Sequence, residues 1–312
     1  MADDPADLLE RARSGDRGAL ARLLSLVERG GPGARAVGRL THPLGGQAYT
    51  VGLTGAPGAG KSTLTSALVR EVRADGVSIA VLAIDPSSPF TGGAILGDRV
   101  RMQDHVGDDD VFIRSMATRG HLGGLSLATL DAVRVLDATG WPWIVIETVG
   151  VGQVEVEVAG AADTTVVVVN PGWGDAVQAN KAGLLEIADV FVINKADRPG
   201  VDDTRRDLER MLDLTDTGDW RPPVVATTAP AGDGLDELWA AIGAHREHLE
   251  TTGALAPRRA GRVGDELTSI LMALLRERAE AHAGPALDDL AAAVADRSLD
   301  PWTAAEQLLP PG

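Results

Sequence analysis

Short, unbroken apolar runs separated by stretches of helical spacing dominate the middle of the chain. Between about residues 48 and 245 the runs are AYTVGL, VSIAVLAID, DVFIRSM, WPWIVIE, TTVVVVN, DVFVINK and PPVVATT. Most show no polar alternation, so each predicts a strand buried on both faces. Such strands joined by helical crossovers make a parallel α/β sheet. The flanks have a different period. Leu20, Leu23, Leu24 and Val27 fall at i, i+3, i+4 and i+7, one helix face within residues 1 to about 45. RGGPGARAVG is expected to break that pattern. Far downstream, HLETTGALAPRRAGRVG reads as a linker. Beyond it Leu267, Ile270, Leu271, Leu274 and Leu275 form a second helical stripe, and a last helical region is expected from Pro285 on. The expected division is a helical extension over 1–46, an α/β domain over 47–250 and a helical region over 251–312.

Composition narrows the partners. The 312 residues include 29 Lys plus Arg against 45 Asp plus Glu, a net charge of −16. An acidic surface repels phosphate backbones and anionic lipid, so neither nucleic acid nor a membrane surface is expected as a partner. No stretch approaches the ~18 apolar residues of a membrane helix. The opening MADDPADLLE lacks the apolar core of a signal peptide. The absence of Cys rules out disulfides and thiolate metal sites and fits a reducing, cytoplasmic setting.

The first strand runs into GLTGAPGAGKSTL, where Gly55, Gly60, Lys61 and Ser62 match G-x-x-x-x-G-K-[ST]. Gly55, Ala56, Pro57, Gly58, Ala59 and Gly60 are expected to curl backbone N–H groups around phosphates. The helix from Lys61, Ser62 and Thr63 would present its positive end. Lys61 would reach the β- and γ-phosphates, and the Ser62 hydroxyl would bind Mg²⁺. About 130 residues on, Asn194, Lys195 and Asp197 form N-K-x-D at a strand end, the guanine-selecting arrangement of P-loop GTPases. The Asp197 carboxylate can accept from guanine N1–H and its 2-amino group, a pair of donors that adenine lacks. Leaving it unmatched and desolvated would penalise adenine. Asn194 can tie this loop to the P-loop. TTAPAGDGLDELW fits a further base loop, with Thr228 beside a backbone N–H near Ala229 that faces the base oxygen.

Three acids sit where Mg²⁺ chemistry needs them. Asp85 ends the second strand, Asp98 follows in a Gly-rich loop, and Glu147 ends another strand. Each can hold the ion or its water. With Lys61 they are the expected catalytic groups. Gly150 offers an N–H to the γ-phosphate. Val151 stands where signalling GTPases carry a water-positioning glutamine, so slow basal hydrolysis is expected, with Gln153 or a partner completing the site.

Together, GAPGAGKSTL, IDPSSPFTGGAILGDRVRM, SMATRGHLGGLS, ETVGVGQVE and NKAD resemble the MeaB-type G proteins, also labelled ArgK-like, over about residues 1–280. The resemblance implies a P-loop GTPase domain, binding of GTP, GDP and Mg²⁺, and slow hydrolysis. It also implies association with an adenosylcobalamin-dependent acyl-CoA mutase, with methylmalonyl-CoA mutase first, whose cofactor loading it gates and whose damaged cofactor it helps remove. The C-terminal helices are implied to form a homodimer. Gln178 and Lys181 match positions implied to communicate with the mutase, although WGDAVQANK departs from the usual pattern there. Two other readings are a metal-delivery GTPase, disfavoured by the lack of Cys and of a His-rich tract, and a kinase, disfavoured by N-K-x-D.

Overall fold

The computed structural model describes residues 4–85, 105, 107–117, 127–148, 160–172, 181–283 and 286–308. The seven apolar runs form seven strands: β1 Tyr49–Gly55, β2 Ile79–Asp85, β3 Val111–Ala117, β4 Trp143–Thr148, β5 Thr164–Val169, β6 Val190–Asn194 and β7 Val224–Thr227. They make one parallel sheet in the order β3-β2-β4-β1-β5-β6-β7. Every residue of β1, β4, β5 and β6 is buried, which explains their continuous apolar character. The fold is that of a P-loop NTPase with helical extensions at both ends.

Each face of the sheet is covered by helices. On one, α4 (Lys61–Ala74) and α8 (Leu235–Thr251) cover Val51, Leu53, Val81, Val145 and Val192 through Leu64, Leu68, Leu238 and Ile242. On the other, α1 (Pro5–Arg13), α2 (Arg17–Arg29), α3 (Gly31–Thr41) and α5 (Leu127–Ala138) bury Leu8, Leu23, Leu24 and Val135 with Leu82, Ile144 and Ile146. Nearer the β7 edge, α6 (Lys181–Ile187) and α7 (Val201–Leu214) enclose Val167, Phe191 and Ile193 with Leu184 and Leu208. Asp137 of α5 accepts from the N–H groups of Gly46, Gln47 and Ala48, fixing the chain as it enters β1.

Two sequence expectations change. RGGPGARAVG interrupts the helical stripe only at Gly30, where φ is 73°, and α3 begins at the next residue with Pro32 in its first turn. The expected linker HLETTGALAPRRAGRVG is mostly helix. After α8 ends at Thr251, α9 runs unbroken over Leu255–Ala283. Pro257 falls in its first turn, where no backbone bond is lost. Gly261 and Gly264 cost about 1 kcal/mol each relative to Ala without ending it. The chain divides into two compact units, 1–258 and 259–312. Within the second, α10 (Ala286–Ala295) and α11 (Pro301–Gln307) follow α9, and α11 is capped by Asp300, which accepts from the N–H groups of Trp302 and Thr303.

Among the described residues no helix is long and apolar enough to cross a membrane.

Candidate nucleotide-binding site

The site gathers at the carboxyl ends of the central strands. β1 lies between β4 and β5, and the chain reverses its direction of spread across the sheet there, the position where open α/β sheets bind ligands. The P-loop follows β1. Gly55, with φ 137°, passes so close to β5 that a Cβ would lie 2.0 Å from the Val168 carbonyl oxygen. Gly60, with φ 94°, meets a second limit, because a Cβ there would lie 2.5 Å from Asn194 Nδ2. Pro57 and Gly58 are exposed at the tip, Ala56 is half-buried, and Ala59 is buried beneath.

The first turn of α4 is where anion-binding N–H groups converge. Gly60 is its N-cap, and its carbonyl accepts from Leu64 N–H at 2.9 Å. Lys61 is buried, and its ammonium donates to the carbonyls of Gly55 at 2.5 Å and Ala56 at 3.1 Å. The cation therefore points into the loop's concavity. Ser62 and Thr63 follow, both half-buried. The Ser62 hydroxyl donates to Glu147 Oε1 at 2.5 Å. Glu147, buried within β4, is thus brought to the P-loop helix across 85 positions of sequence.

This pair fits Mg²⁺ by its donor chemistry: a hydroxyl and a carboxylate, both hard oxygens, on two rigid elements. β2 is the strand beside β4. Ala83 is in register with Glu147 and Ile84 with Thr148, so Asp85 ends β2 one strand away from Glu147. Its side chain lies outside the described residues, as do Asp98, Gly150, Val151, Gln153 and Gln178 in full. Among the described residues no group of three or more His, Cys, Asp or Glu side chains could hold a metal.

β6 delivers the N-K-x-D loop. Asn194 is buried, and its Nδ2 donates to Ala59 O at 2.9 Å and to Gly60 O at 3.4 Å. Its Oδ1 accepts from Thr227 Oγ1 at 3.2 Å and from Ala229 N–H at 3.4 Å. One amide therefore joins the P-loop, β6 and the loop after β7. Lys195 takes φ 61°, rare for a side-chain-bearing residue, and its ammonium donates to Gly58 O at 2.5 Å. It lies across the loop tip. Asp197 stands exposed at the following turn, so only a base seated on it would desolvate it. The Ala229 N–H points to Asn194. Thr228 is half-buried and forms a bridge to Asp233.

Two contacts went unforeseen. Thr227 holds the Asn194 amide, and a hydroxyl at the carboxyl end of an apolar strand was its only signal. The His105 ring pairs with the Ser66 hydroxyl at 3.2 Å, one turn past Ser62, and nothing in the local sequence marks it.

A glycine-lined anion cradle, an inward lysine, a Ser–Glu oxygen pair and an N-K-x-D loop locked to the cradle define a P-loop protein of the GTPase type. The family model for the methylmalonyl-CoA mutase-associated GTPase MeaB matches residues 20–284. A protein of Pyrococcus abyssi is 51% identical over 308 residues, 97% of this chain and 95% of its own length. The GTPase ArgK of Escherichia coli is 38% identical over 259 residues, 80% of this chain and 78% of its own. The mouse mitochondrial methylmalonic aciduria type A homolog is 37% identical over 221 residues, 68% of this chain and 52% of its own. The crystal structure of a LAO/AO transport system kinase superimposes with a TM-score of 0.73 at 28% identity, covering 99% of this chain and 97% of its own. The chain belongs to the MeaB family of P-loop GTPases.

Proposed function

We propose that the chain is a GTP-hydrolysing chaperone of an adenosylcobalamin-dependent acyl-CoA mutase, most simply methylmalonyl-CoA mutase. It would gate cofactor loading and help reactivate the mutase. The observation that carries the nucleotide chemistry is the 2.5 Å contact between Ser62 and Glu147, a ready pair of oxygen ligands beside the phosphate cradle. The mutase assignment is supported by the family's description and by the mouse relative's name.

In this reading Lys61 leaves the carbonyls of Gly55 and Ala56 to meet the β- and γ-phosphates. Ser62, Glu147, Asp85 and Asp98 would hold Mg²⁺, which when bound would supply positive charge beside the phosphates. Asp197 selects guanine. Lys195 lies along the base, while Asn194 keeps the base loop in register with the cradle. Gly150 would donate to the γ-phosphate. Turnover by the chain alone would be slow, with Val151 in the place of the usual water-positioning glutamine, and GTP would order the loops at 85–105, 148–158 and 171–185.

The domain reading of 1–46, 47–250 and 251–312 assigns the last part to homodimerisation. Val263, Leu267, Ile270, Leu271 and Leu274 follow helical spacing on α9, and Val263, Leu267 and Leu271 are more than half exposed within their unit. A cytoplasmic location fits a partner that handles acyl-CoA.

A second reading, phosphotransfer, is favoured by the name of the solved relative, a transport system kinase. Phosphate release and phosphotransfer distinguish the two. Multiple-turnover assays with GTP should yield GDP and free phosphate, faster when a cobalamin-dependent mutase is added, and affinity capture should retain that mutase. Phosphate transferred to an acceptor other than water, with no response to a mutase, would overturn the proposal.

A further inference from the structure

At the amino ends of the strands, opposite the P-loop, lies a buried polar chain that the nucleotide site does not use. Asp189, the residue before β6, accepts both arms of the Arg258 guanidinium at 3.1 and 2.7 Å and the Thr165 N–H at 2.7 Å. His245 Nε2 lies 3.3 Å from the same carboxylate. His245 Nδ1 pairs with the Thr164 hydroxyl at 2.8 Å, and the Thr164 and Tyr49 hydroxyls pair at 2.7 Å. Trp220 closes the cluster, with its indole N–H on Asp189 O at 2.8 Å and its ring 4.9 Å from His245. Burial lowers the His245 pKa from 6.5 to about 4, which keeps the ring neutral.

The chain joins the starts of β1, β5 and β6 to α8 and to the first turn of α9. β6 is the short element with both ends tied. Asn194 binds the P-loop carbonyls at one end. Asp189 binds Arg258 five residues earlier, roughly 17 Å away along an extended strand. A five-residue strand buried at every position has no slack to absorb displacement.

We propose that β6 is a strut by which occupancy of the nucleotide site acts on the root of α9, with Asp189–Arg258 as its lower joint. It rests on the GTP-binding reading and adds its regulatory output: the α9 root senses the bound nucleotide. Arg258 is a positioning residue, because it touches no substrate. Its forked donor geometry is what the joint needs, since a lysine supplies charge without the two-point hold.

The test is amide hydrogen exchange of the full chain over residues 255–262, with GDP and with a non-hydrolysable GTP analogue, alongside nucleotide titration. Wild type should show at least a two-fold difference in exchange between the two nucleotides there. Arg258→Gln should abolish that difference while GDP affinity stays within about three-fold. Arg258→Lys should retain part of it, and carries the same test if the Gln variant does not fold. An undiminished difference in both variants overturns the inference. So does its absence in wild type that binds both nucleotides. Failure to bind either nucleotide sinks the GTPase reading itself, and the titration reports that separately.

Discussion

Gly60→Ala places a methyl group where the structure has least room for it, and Gly58→Ala is its natural control. Both glycines sit in left-handed backbone, at φ 94° and 78°. Alanine there costs about 1–2 kcal/mol, offset by about 0.4–1 kcal/mol from the stiffer unfolded chain. The two variants therefore share a net cost near 1 kcal/mol. They differ in what the methyl meets. At Gly58 nothing lies within 4 Å, whereas at Gly60 the methyl would sit 2.5 Å from Asn194 Nδ2. Asn194 is buried, so it must swing and give up its bonds to Ala59 and Gly60. Stranding a buried amide costs about 1–3 kcal/mol more. Thermal unfolding should show Gly60→Ala shifted at least twice as far as Gly58→Ala. A GDP titration should show at least ten-fold weaker binding for Gly60→Ala, because the base loop loses its tie to the cradle. Equal shifts in Tm, or unchanged GDP affinity in Gly60→Ala, would refute the claim that Asn194 locks the two loops together.

Glu147→Gln keeps the shape of the Ser62 partner but removes its charge, so the Mg²⁺ concentration needed for half-maximal hydrolysis should rise at least ten-fold while GDP binding without metal stays near wild type. Asp197→Asn exchanges an acceptor pair for one donor and one acceptor. GTP affinity should fall by about 1–3 kcal/mol, the scale of an unmatched polar pair, and xanthosine triphosphate, with a carbonyl at position 2, should gain. His245 titrates from 6.5 down to about 4 because burial outweighs the attraction of Asp189, while Arg258 and His248 push the same way and Asp163 opposes. A depressed histidine leaves the unfolded chain binding more protons, so its contribution is complete above about pH 6.5 and shrinks as pH falls towards 4. At 1.36 kcal/mol per unit this reaches about 3 kcal/mol. Denaturant unfolding of His245→Gln should therefore lose less stability than wild type between pH 6.5 and 4, and parallel curves would contradict the assignment.

The strands were legible because burial on both faces leaves unbroken apolar runs, and VVVV and VFVI could be little else. The cradle was legible because its glycines, lysine and serine are contiguous, and its backbone demands are local. The root of α9 was not. Thr, Gly and Pro clustered over 251–264 signal a break, yet Pro257 falls at the one turn that tolerates it, and the remaining turns outweigh two glycines. Ser62 meeting Glu147 depends on β4 lying beside β1, which only the sheet order reveals. The Tyr49–Thr164–His245–Asp189–Arg258 chain was invisible for the same reason. Its members are common polar residues, far apart in sequence, and topology alone gathers them.

Guanine selectivity at the phosphate site is the claim on which the rest depends. Isothermal titration of the full chain with GDP and ADP, each with Mg²⁺, tests it most directly. GDP should bind at least one hundred-fold more tightly than ADP, with the margin lost in Asp197→Ala. Equal affinity for the two nucleotides, or a preference unaffected by Asp197→Ala, would contradict it.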